Sequence, residues 1–294
     1  MLHDLTRNWP TVAVDLFRLC LWLAILSAIF VPLERLFALH PGKVLRKGIG
    51  ADLGYYFLSG MVASLLLSVP LGTLAWAAHQ LVPWRLRMLV GHAPVIARFG
   101  LALLAGEIGY YWGHRLMHTV PLLWRFHAIH HSPEHIDFLV NSRAHPLDLT
   151  FSRLCTYVPI YALSLGEPSG MGGSSLPLAV ALTGTVWTYF IHANVRWRFG
   201  VLEWIVSTPR YHHWHHALDP ADRNYSSLLP MLDRIFGTLH LPAGHVPTGL
   251  WPERYGIRGE VPEAWSEQLV LPLLGTFPLA QARNERPLEI SLKA

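Results

Sequence analysis

The sequence predicts an all-α integral membrane protein with four to five membrane helices and a helical cap at the cytoplasmic face. Apolar residues make up 52% of its 294 residues, and the mean hydropathy of +0.30 is too high for an ordinary soluble domain. Long stretches carry no charged side chain, and basic residues lie near their ends, as in membrane proteins. Twelve of the 18 histidines fall between His114 and His216, grouped between the apolar stretches or at their ends.

The first membrane helix is predicted at residues 19–33, which carry no charged side chain. Flanking arginines with long aliphatic stems extend such a segment to the length that a bilayer requires. The loop that follows contains Lys43, Arg46 and Lys47. Because cytoplasmic loops are enriched in lysine and arginine, we place this loop on the cytoplasmic side.

Two further apolar stretches follow. Residues 53–83 contain no Asp, Glu, Lys or Arg and exceed the roughly 20 residues that one span needs, so tilt, a kink at Pro70 or a re-entrant hairpin must absorb the excess. After a basic turn, residues 99–112 form a third membrane helix that contains a single ionisable group, Glu107. A carboxyl group in such a helix is costly and indicates an interior partner or a functional site.

Residues 113–148 are rich in histidine, arginine and tryptophan and predict the cap. A fourth membrane helix should run from Pro146 to about residue 165, and the glycine-rich stretch 166–175 should turn on the opposite side. Residues 176–191 then return to the cap and deliver His192. All histidine clusters are thereby placed on one side of the membrane.

Thr208-Pro209 is typical of a helix start, with Thr208 as N-cap and Pro209 at the first helical position. Residues 265–279 could lie in the membrane interface or pack on the cap. The chain is accordingly divided into N-terminal membrane helices, a catalytic domain and a C-terminal tail, at residues 1–98, 99–241 and 242–294.

Three histidine boxes follow helical spacing. The first has spacing i, i+4, and the other two have i, i+3, i+4: His114 and His118; His127, His130 and His131; His212, His215 and His216. At 100° per residue, each box places its imidazoles on one helix face, and Glu107 shares the stripe of the first box within about 60°.

Facing imidazoles are the arrangement that clamps a transition metal. Eight ligands exceed the four that one structural ion needs, which favours two metals. His145 and His192 each lie where an apolar helix meets the cap, so they extend the candidate set to ten. An all-nitrogen shell suits iron, zinc or copper, while the lack of paired cysteines argues against an iron–sulfur cluster.

Metal-bound histidines usually donate their second ring nitrogen to a carboxylate or carbonyl. The candidates for these supporting positions are acidic and amide side chains: Glu107, Asp137, Asp148, Asn224 and Asp233. An exposed ion pair with a neighbouring arginine is an equally good interpretation of Asp233. His213 is about 100° out of phase with His212, which predicts a supporting or an exposed position.

The three boxes and their flanking sequences, YYWGHRLMH, LWRFHAIHHSPE, RAHPLD and RNYSSLLPMLDRIFGT, resemble the fatty acid hydroxylase superfamily, also called the sterol desaturase family. They are most similar to the branch that contains alkylglycerol monooxygenase and its bacterial relatives. The resemblance covers roughly residues 101–241. Some members have a further histidine where this chain has Thr188, which leaves His145 as the substitute for the tenth ligand.

The resemblance implies a membrane enzyme that uses a non-haem di-iron centre and O2 to hydroxylate or desaturate lipid chains. The eight box histidines and His192 would then be iron ligands. Aliphatic C–H bonds have no acidic proton, so a metal pair must activate O2. The sequence contains no flavin, nicotinamide or haem motif, which implies an external electron donor such as a reductase, a ferredoxin or a b-type cytochrome.

Two alternatives remain open from the residues. A zinc-dependent membrane hydrolase would need only three ligands, but the chain has no His-Glu-x-x-His motif. A non-enzymatic metal carrier would place carboxylates and histidines within the membrane helices, whereas these boxes lie outside them. Nucleic acid is not an expected partner, since the excess of 23 Lys and Arg over 19 Asp and Glu is scattered.

Overall fold

A computed structural model describes residues 9–166, 176–242, 250–259 and 261–275. Within these residues the fold is all-α, as predicted, and contains no β-strand beyond two isolated bridges. The α-helices are α1 Thr11–Phe37, α2 Ile49–Leu81, α3 Trp84–His92, α4 Val95–Thr119, α5 Pro121–His131, α6 Pro146–Ala162, α7 Leu176–His192, α8 Pro209–His215, α9 Pro230–Ile235 and α10 Trp265–Leu274. Two 3-10 helices, Phe138–Ser142 and Gly200–Trp204, complete the described elements.

Two helices, α1 and α2, are long and apolar enough to cross a bilayer. Their most apolar windows have mean hydropathies of 2.2 and 1.8, and large side chains on α2 such as Leu65 and Val69 are more than 70% exposed. The pair α3 and α4 passes the same test only as one span that bends by 120°. The described helices therefore support two or three spans. The larger expected number stays a prediction that rests on α6 and α7, each 17 residues long.

The first histidine box lies on the same helix as Glu107, as its spacing predicts, because α4 continues past the expected membrane end at Trp112 as far as Thr119. The cap stays a prediction. Nothing in this stretch stops a helix before Pro121, and Gly113 is accommodated by packing against Cys155. The basic turn expected after residue 83 is the short helix α3, which ends before Pro94.

Helices α4 and α6 approach each other closely along a face of small residues. A Cβ atom added to Gly109 would lie 2.0 Å from the carbonyl oxygen of Cys155, and one added to Gly113 would lie 2.6 Å from the Cys155 Cβ. Only glycine permits this separation. The contact fixes the end of α4 that carries His114 and His118 against the start of α6, which carries Asp148.

We therefore expect Gly109→Ala to destabilise the protein by about 1–3 kcal/mol or more, because a backbone carbonyl cannot move aside as a side chain can. Gly100→Ala is the matched control on the same helix, since its added methyl group meets nothing within 4 Å. Thermal unfolding in detergent should separate the two variants. Equal melting temperatures would contradict the close packing of α4 on α6.

A buried ion network ties the start of α2 to the 3-10 helix Phe138–Ser142. Asp52 has no exposed surface and accepts hydrogen bonds from Arg46, at 2.7 Å, and from Arg143. Arg46 also binds Asp137, at 2.8 Å. Asp137 caps the 3-10 helix by accepting from the backbone N–H groups of Leu139 and Val140. Asp137 therefore supports this network, and no described contact joins it to a histidine of the boxes.

Helix α10 packs on the protein, which agrees with one of the two expected positions for residues 265–279. The Trp265 ring meets the Tyr55 ring edge-on at 5.9 Å, and Leu269 packs beside Ala128 and Ile129 of α5. Residues 276–279 lie outside the described residues. The division of the chain at residues 98 and 241 stays a prediction.

Candidate metal centre

Four helices deliver the histidines to one place. The first two boxes lie at the end of α4 and along α5, and His192 is the last residue of α7. The third box lies on α8, which starts as predicted: the Thr208 side chain accepts a hydrogen bond from the Tyr211 N–H, and Pro209 is the first helical residue. This start fixes the phase of the third box toward the other helices.

Nine histidines form two buried groups. Within each group, one nitrogen from every ring lies within 4.8 Å of the corresponding nitrogens of the others. The five-histidine cluster consists of His114, His118, His127, His131 and His215. The four-histidine cluster consists of His130, His192, His212 and His216. Each group has enough nitrogen donors, at suitable separations, to surround one metal ion.

The two clusters are direct neighbours, because α5 and the third box contribute to both. The rings of His131 and His216, one from each cluster, stack with centroids 4.3 Å apart. The rings of His130 and His131 lie 5.4 Å apart. The arrangement could therefore hold two adjacent metal ions.

The hydrogen bonds of the four-histidine cluster are compatible with a cation at its centre. The Nδ1 of His192 lies 2.7 Å from the Thr188 carbonyl oxygen, and the Nδ1 of His130 lies 3.2 Å from that of Arg143. A carbonyl can only accept, so each Nδ1 carries the proton and each Nε2 of the neutral ring carries a lone pair. These two Nε2 atoms face each other at 3.3 Å. A shared cation removes the resulting repulsion.

The five-histidine cluster repeats this pattern. The His114 Nδ1 lies 2.7 Å from the Tyr225 carbonyl oxygen, and the His127 Nδ1 lies 3.1 Å from an Asp148 carboxylate oxygen. The Nε2 atoms of these two rings lie 3.1 Å apart. In the described part of the chain, the buried Nε2 atoms of His131 and His215 have no hydrogen-bond partner. A bound metal would satisfy these nitrogens.

Burial keeps these imidazoles in the neutral form that binds metals. It lowers the pKa of His215 to about 3. Burial, together with neighbouring histidines, lowers the pKa values of His130, His131, His212 and His216 well below the ordinary value. These five rings are therefore neutral at pH 7 and need no deprotonation before they bind a metal. The donor set fits a transition metal that prefers nitrogen ligands.

Of the four carboxylate candidates for supporting positions, Asp148 contacts a histidine, through the bond to His127. Glu107 instead accepts from the Ser227 hydroxyl at 2.7 Å and from the backbone N–H groups of Leu228 and Leu229. It therefore anchors the segment before α9 to α4. Its buried position agrees with the expectation of an interior partner.

The side chains of Asn224 and Asp233 have no described contact with a histidine of the two clusters. Each instead bonds backbone groups of neighbouring segments. Asn224 donates to the carbonyl oxygens of Tyr211 and His240, at 2.9 and 2.8 Å. Asp233 is fully buried, accepts from the Tyr225 N–H at 2.7 Å and is bonded by the Tyr211 hydroxyl. The interpretation of Asp233 as an exposed ion pair is therefore wrong.

His145 lies in neither cluster, contrary to the expectation of a tenth ligand. Its Nδ1 accepts a hydrogen bond from the Leu147 N–H and caps α6, and its Nε2 lies 3.2 Å from the Leu269 carbonyl oxygen. Both ring nitrogens are thus engaged in holding α6 and α10. His213 is buried, and its Nδ1 and Nε2 contact the Tyr255 hydroxyl and the Ala193 carbonyl oxygen. Neither cluster includes it.

Several groups that hold the rings were not among the candidates predicted from residue types. The Asp222 carboxylate lies 3.1 Å from the Nδ1 of His118, and the Arg223 carbonyl oxygen lies 2.7 Å from the Nδ1 of His215. Backbone acceptors of this kind depend on how the chain turns in space and leave no mark in residue types. The one available signal was an acidic residue in the loop that follows the third box.

Residues 99–238 match the family model described as fatty acid hydroxylase. The ornithine lipid hydroxylase OlsE of Rhizobium tropici is 36% identical over 185 residues, which are 61% of this chain and 51% of that protein. The alkylglycerol monooxygenases of Danio rerio and Homo sapiens are 32% and 30% identical, each over 51% of this chain and 32% of their own length. The chain thus spans about half or less of these curated relatives. No solved structure matches.

Proposed function

Residues 99–238 of this chain belong to the fatty acid hydroxylase family, and from that premise we propose that the protein is a membrane-bound non-haem di-iron oxygenase. It hydroxylates or desaturates a lipid hydrocarbon chain with O2 and with electrons from an external donor. The observation that carries this proposal is the pair of adjacent clusters with Nε2 lone pairs directed at one another.

The donor set favours iron over the alternatives. Structural zinc is almost always four-coordinate, and catalytic zinc usually takes three protein ligands, whereas one of these clusters offers five imidazoles. Cysteine is absent from both clusters, and the two free cysteines lie on α1 and α6. Imidazole ligands suit iron, and two adjacent positions suit a two-metal reaction. A zinc hydrolase or a metal carrier would require neither feature.

A bound iron pair would supply the activation of O2 that an unreactive C–H bond requires. The nine histidines would hold it, with the acceptors at Asp148, Arg143, Thr188 and Tyr225 fixing the orientation of four rings. Burial of every ring keeps bulk water out of the site. His145, as the cap of α6, is left out of the ligand set.

The substrate in this proposal is a membrane lipid. The three named relatives act, by their names, on lipids: one on ornithine lipid and two on alkylglycerol. Leucine side chains on α4 and α7, such as Leu101 and Leu178, are more than 50% exposed and would face the acyl chains of the bilayer. Substrate would enter between these helices, whose ends carry the histidines of both clusters.

The site faces the cytoplasm in this proposal, because the basic loop before α2 lies on the same side as the histidines. Arg46 binds Asp137, and Lys47 reaches Glu263 at 2.7 Å, so the loop packs on the segments around α5 and α10. Cytoplasmic reductases, ferredoxins or b-type cytochromes can then deliver electrons. The positive-inside tendency supports this orientation.

The test is lipid oxidation by the purified protein in nanodiscs of bacterial lipids, with a ferredoxin and its reductase as electron source. Under ¹⁸O2, mass spectrometry should detect lipids that gain one ¹⁸O atom, or that lose two hydrogens, only when reductant is present. Lipid hydrolysis that proceeds without O2 in a zinc-loaded protein would favour the hydrolase. Metal binding with no lipid product under either condition would favour the carrier.

A further inference from the structure

The four residues Asp222 to Tyr225 hold three of the five rings in the five-histidine cluster. The Asp222 carboxylate contacts the Nδ1 of His118 at 3.1 Å, and the carbonyl oxygens of Arg223 and Tyr225 contact those of His215 and His114, each at 2.7 Å. One short segment therefore orients most of one cluster.

The four-histidine cluster is held differently. His192 donates to the Thr188 carbonyl of its own helix, and His130 donates to the carbonyl of Arg143, a residue with only 8% of its surface exposed. No side-chain acceptor holds either of these rings. In the described part of the chain, the buried Nδ1 atoms of the other two rings, His212 and His216, have no hydrogen-bond partner. The acceptor at Asp222 therefore serves the five-histidine cluster alone.

Most of the segment is fixed from inside the protein. Asn224 adopts a positive φ of 57° and is buried, and its side chain bonds the backbones of Tyr211 and His240 on both sides of the segment. Asp233 accepts from the Tyr225 N–H. Asp222 is the exception, because its side chain is 45% exposed while that of His118 is 2% exposed. Solvent thus reaches the acceptor of one ring in the five-histidine cluster.

We infer that Asp222 is a positioning residue that holds His118 toward the metal, so that its loss selectively loosens the metal position in the five-histidine cluster. The inference rests on the proposed metal centre. A metal-ligating histidine that loses its hydrogen-bond acceptor can rotate away from the metal, and loss of such an acceptor typically weakens metal affinity by about 10- to 100-fold. Because the Asp222 carboxylate is partly exposed, water can compete with His118 for it, and the His118 ring can then rotate.

The test is a time course of iron loss from the full-length, metal-loaded protein in detergent with excess chelator. The wild-type protein should lose its two irons in two phases of about equal amplitude. Asp222→Ala should accelerate one of the two phases by at least about 10-fold and leave the other phase unchanged. Asp222→Asn keeps an oxygen acceptor for the His118 Nδ1–H and should restore most of the wild-type rate.

Asp219→Ala is the matched control in the same loop, since Asp219 pairs with Arg258 at 2.6 Å and has no described contact with a histidine. It should leave both phases as in the wild type. Equal acceleration of both phases in Asp222→Ala, or equal rates in Asp222→Ala and Asp219→Ala, would overturn the inference and leave the metal centre standing. A wild-type protein that binds no metal would overturn both.

Discussion

Replacing His192 by alanine should leave the purified protein with about one iron per chain in place of two, and lipid oxidation should fall below detection. His192 is central to the four-histidine cluster, because its Nε2 lies 3.0–3.3 Å from those of His130, His212 and His216. Its removal leaves three nitrogen donors in this cluster and a gap where the fourth imidazole would contact the metal. The five-histidine cluster shares no ligand with it and should keep its metal.

His213→Asn is the matched control for this substitution. His213 is as buried as His192 and lies beside the third box, yet both of its nitrogens contact the protein outside the clusters. The variant should keep two irons, as measured by elemental analysis of protein checked for folding by size-exclusion chromatography. Two irons in His192→Ala, or the same loss in both variants, would contradict the assignment of His192 to a metal position.

Replacing Asp52 by alanine should cost about 3–5 kcal/mol of stability, because it leaves the Arg143 guanidinium buried without its carboxylate. Arg143 also donates to the Gly48 carbonyl at 3.0 Å, and its own carbonyl accepts from His130. The substitution should therefore loosen the start of α2 and weaken metal retention in the four-histidine cluster.

The measurement is thermal unfolding in detergent, combined with the iron content after purification. Lys47→Ala provides the contrast, because the Lys47–Glu263 pair is exposed, with side chains 89% and 83% accessible. That variant should unfold at the same temperature as the wild-type protein, because exposed ion pairs contribute little to stability. An Asp52→Ala protein of wild-type stability would show that the buried network does not hold α2.

The periodicity of the boxes made the clusters predictable, because i, i+3 and i+4 spacing places rings on one helix face whatever the tertiary fold. His145 was proposed as a ligand on a different ground, its position where an apolar helix meets the cap, and it lies in neither cluster. His145-Pro146 carries the helix-start signal that identified Thr208-Pro209, and the structure shows that His145 is the N-cap of α6. The position of His145 in a histidine-rich region favoured a metal ligand, whereas Pro146 directly after it indicated the N-cap of a helix.

Apart from Asp148, the groups that orient the rings lay beyond prediction from residue types. Asp222 and Asn224 both have φ near 60°, and the resulting turn aims the Asp222 side chain and two backbone carbonyls at three separate histidines. Such a turn depends on Asp233 and on the segments around Tyr211 and His240. Glu107 was predictable as an interior group, but its partners at residues 227–229 come from a distant part of the chain.

X-ray absorption at the iron edge, on protein purified with its native metal and quantified for iron, tests the metal centre most directly. Two irons per chain should be present, with nearest neighbours that are all nitrogen or oxygen at about 2.0–2.2 Å and with the outer scattering of several imidazoles. A sulfur neighbour, a single iron per chain, or iron without imidazole scattering would contradict a centre built from these nine histidines.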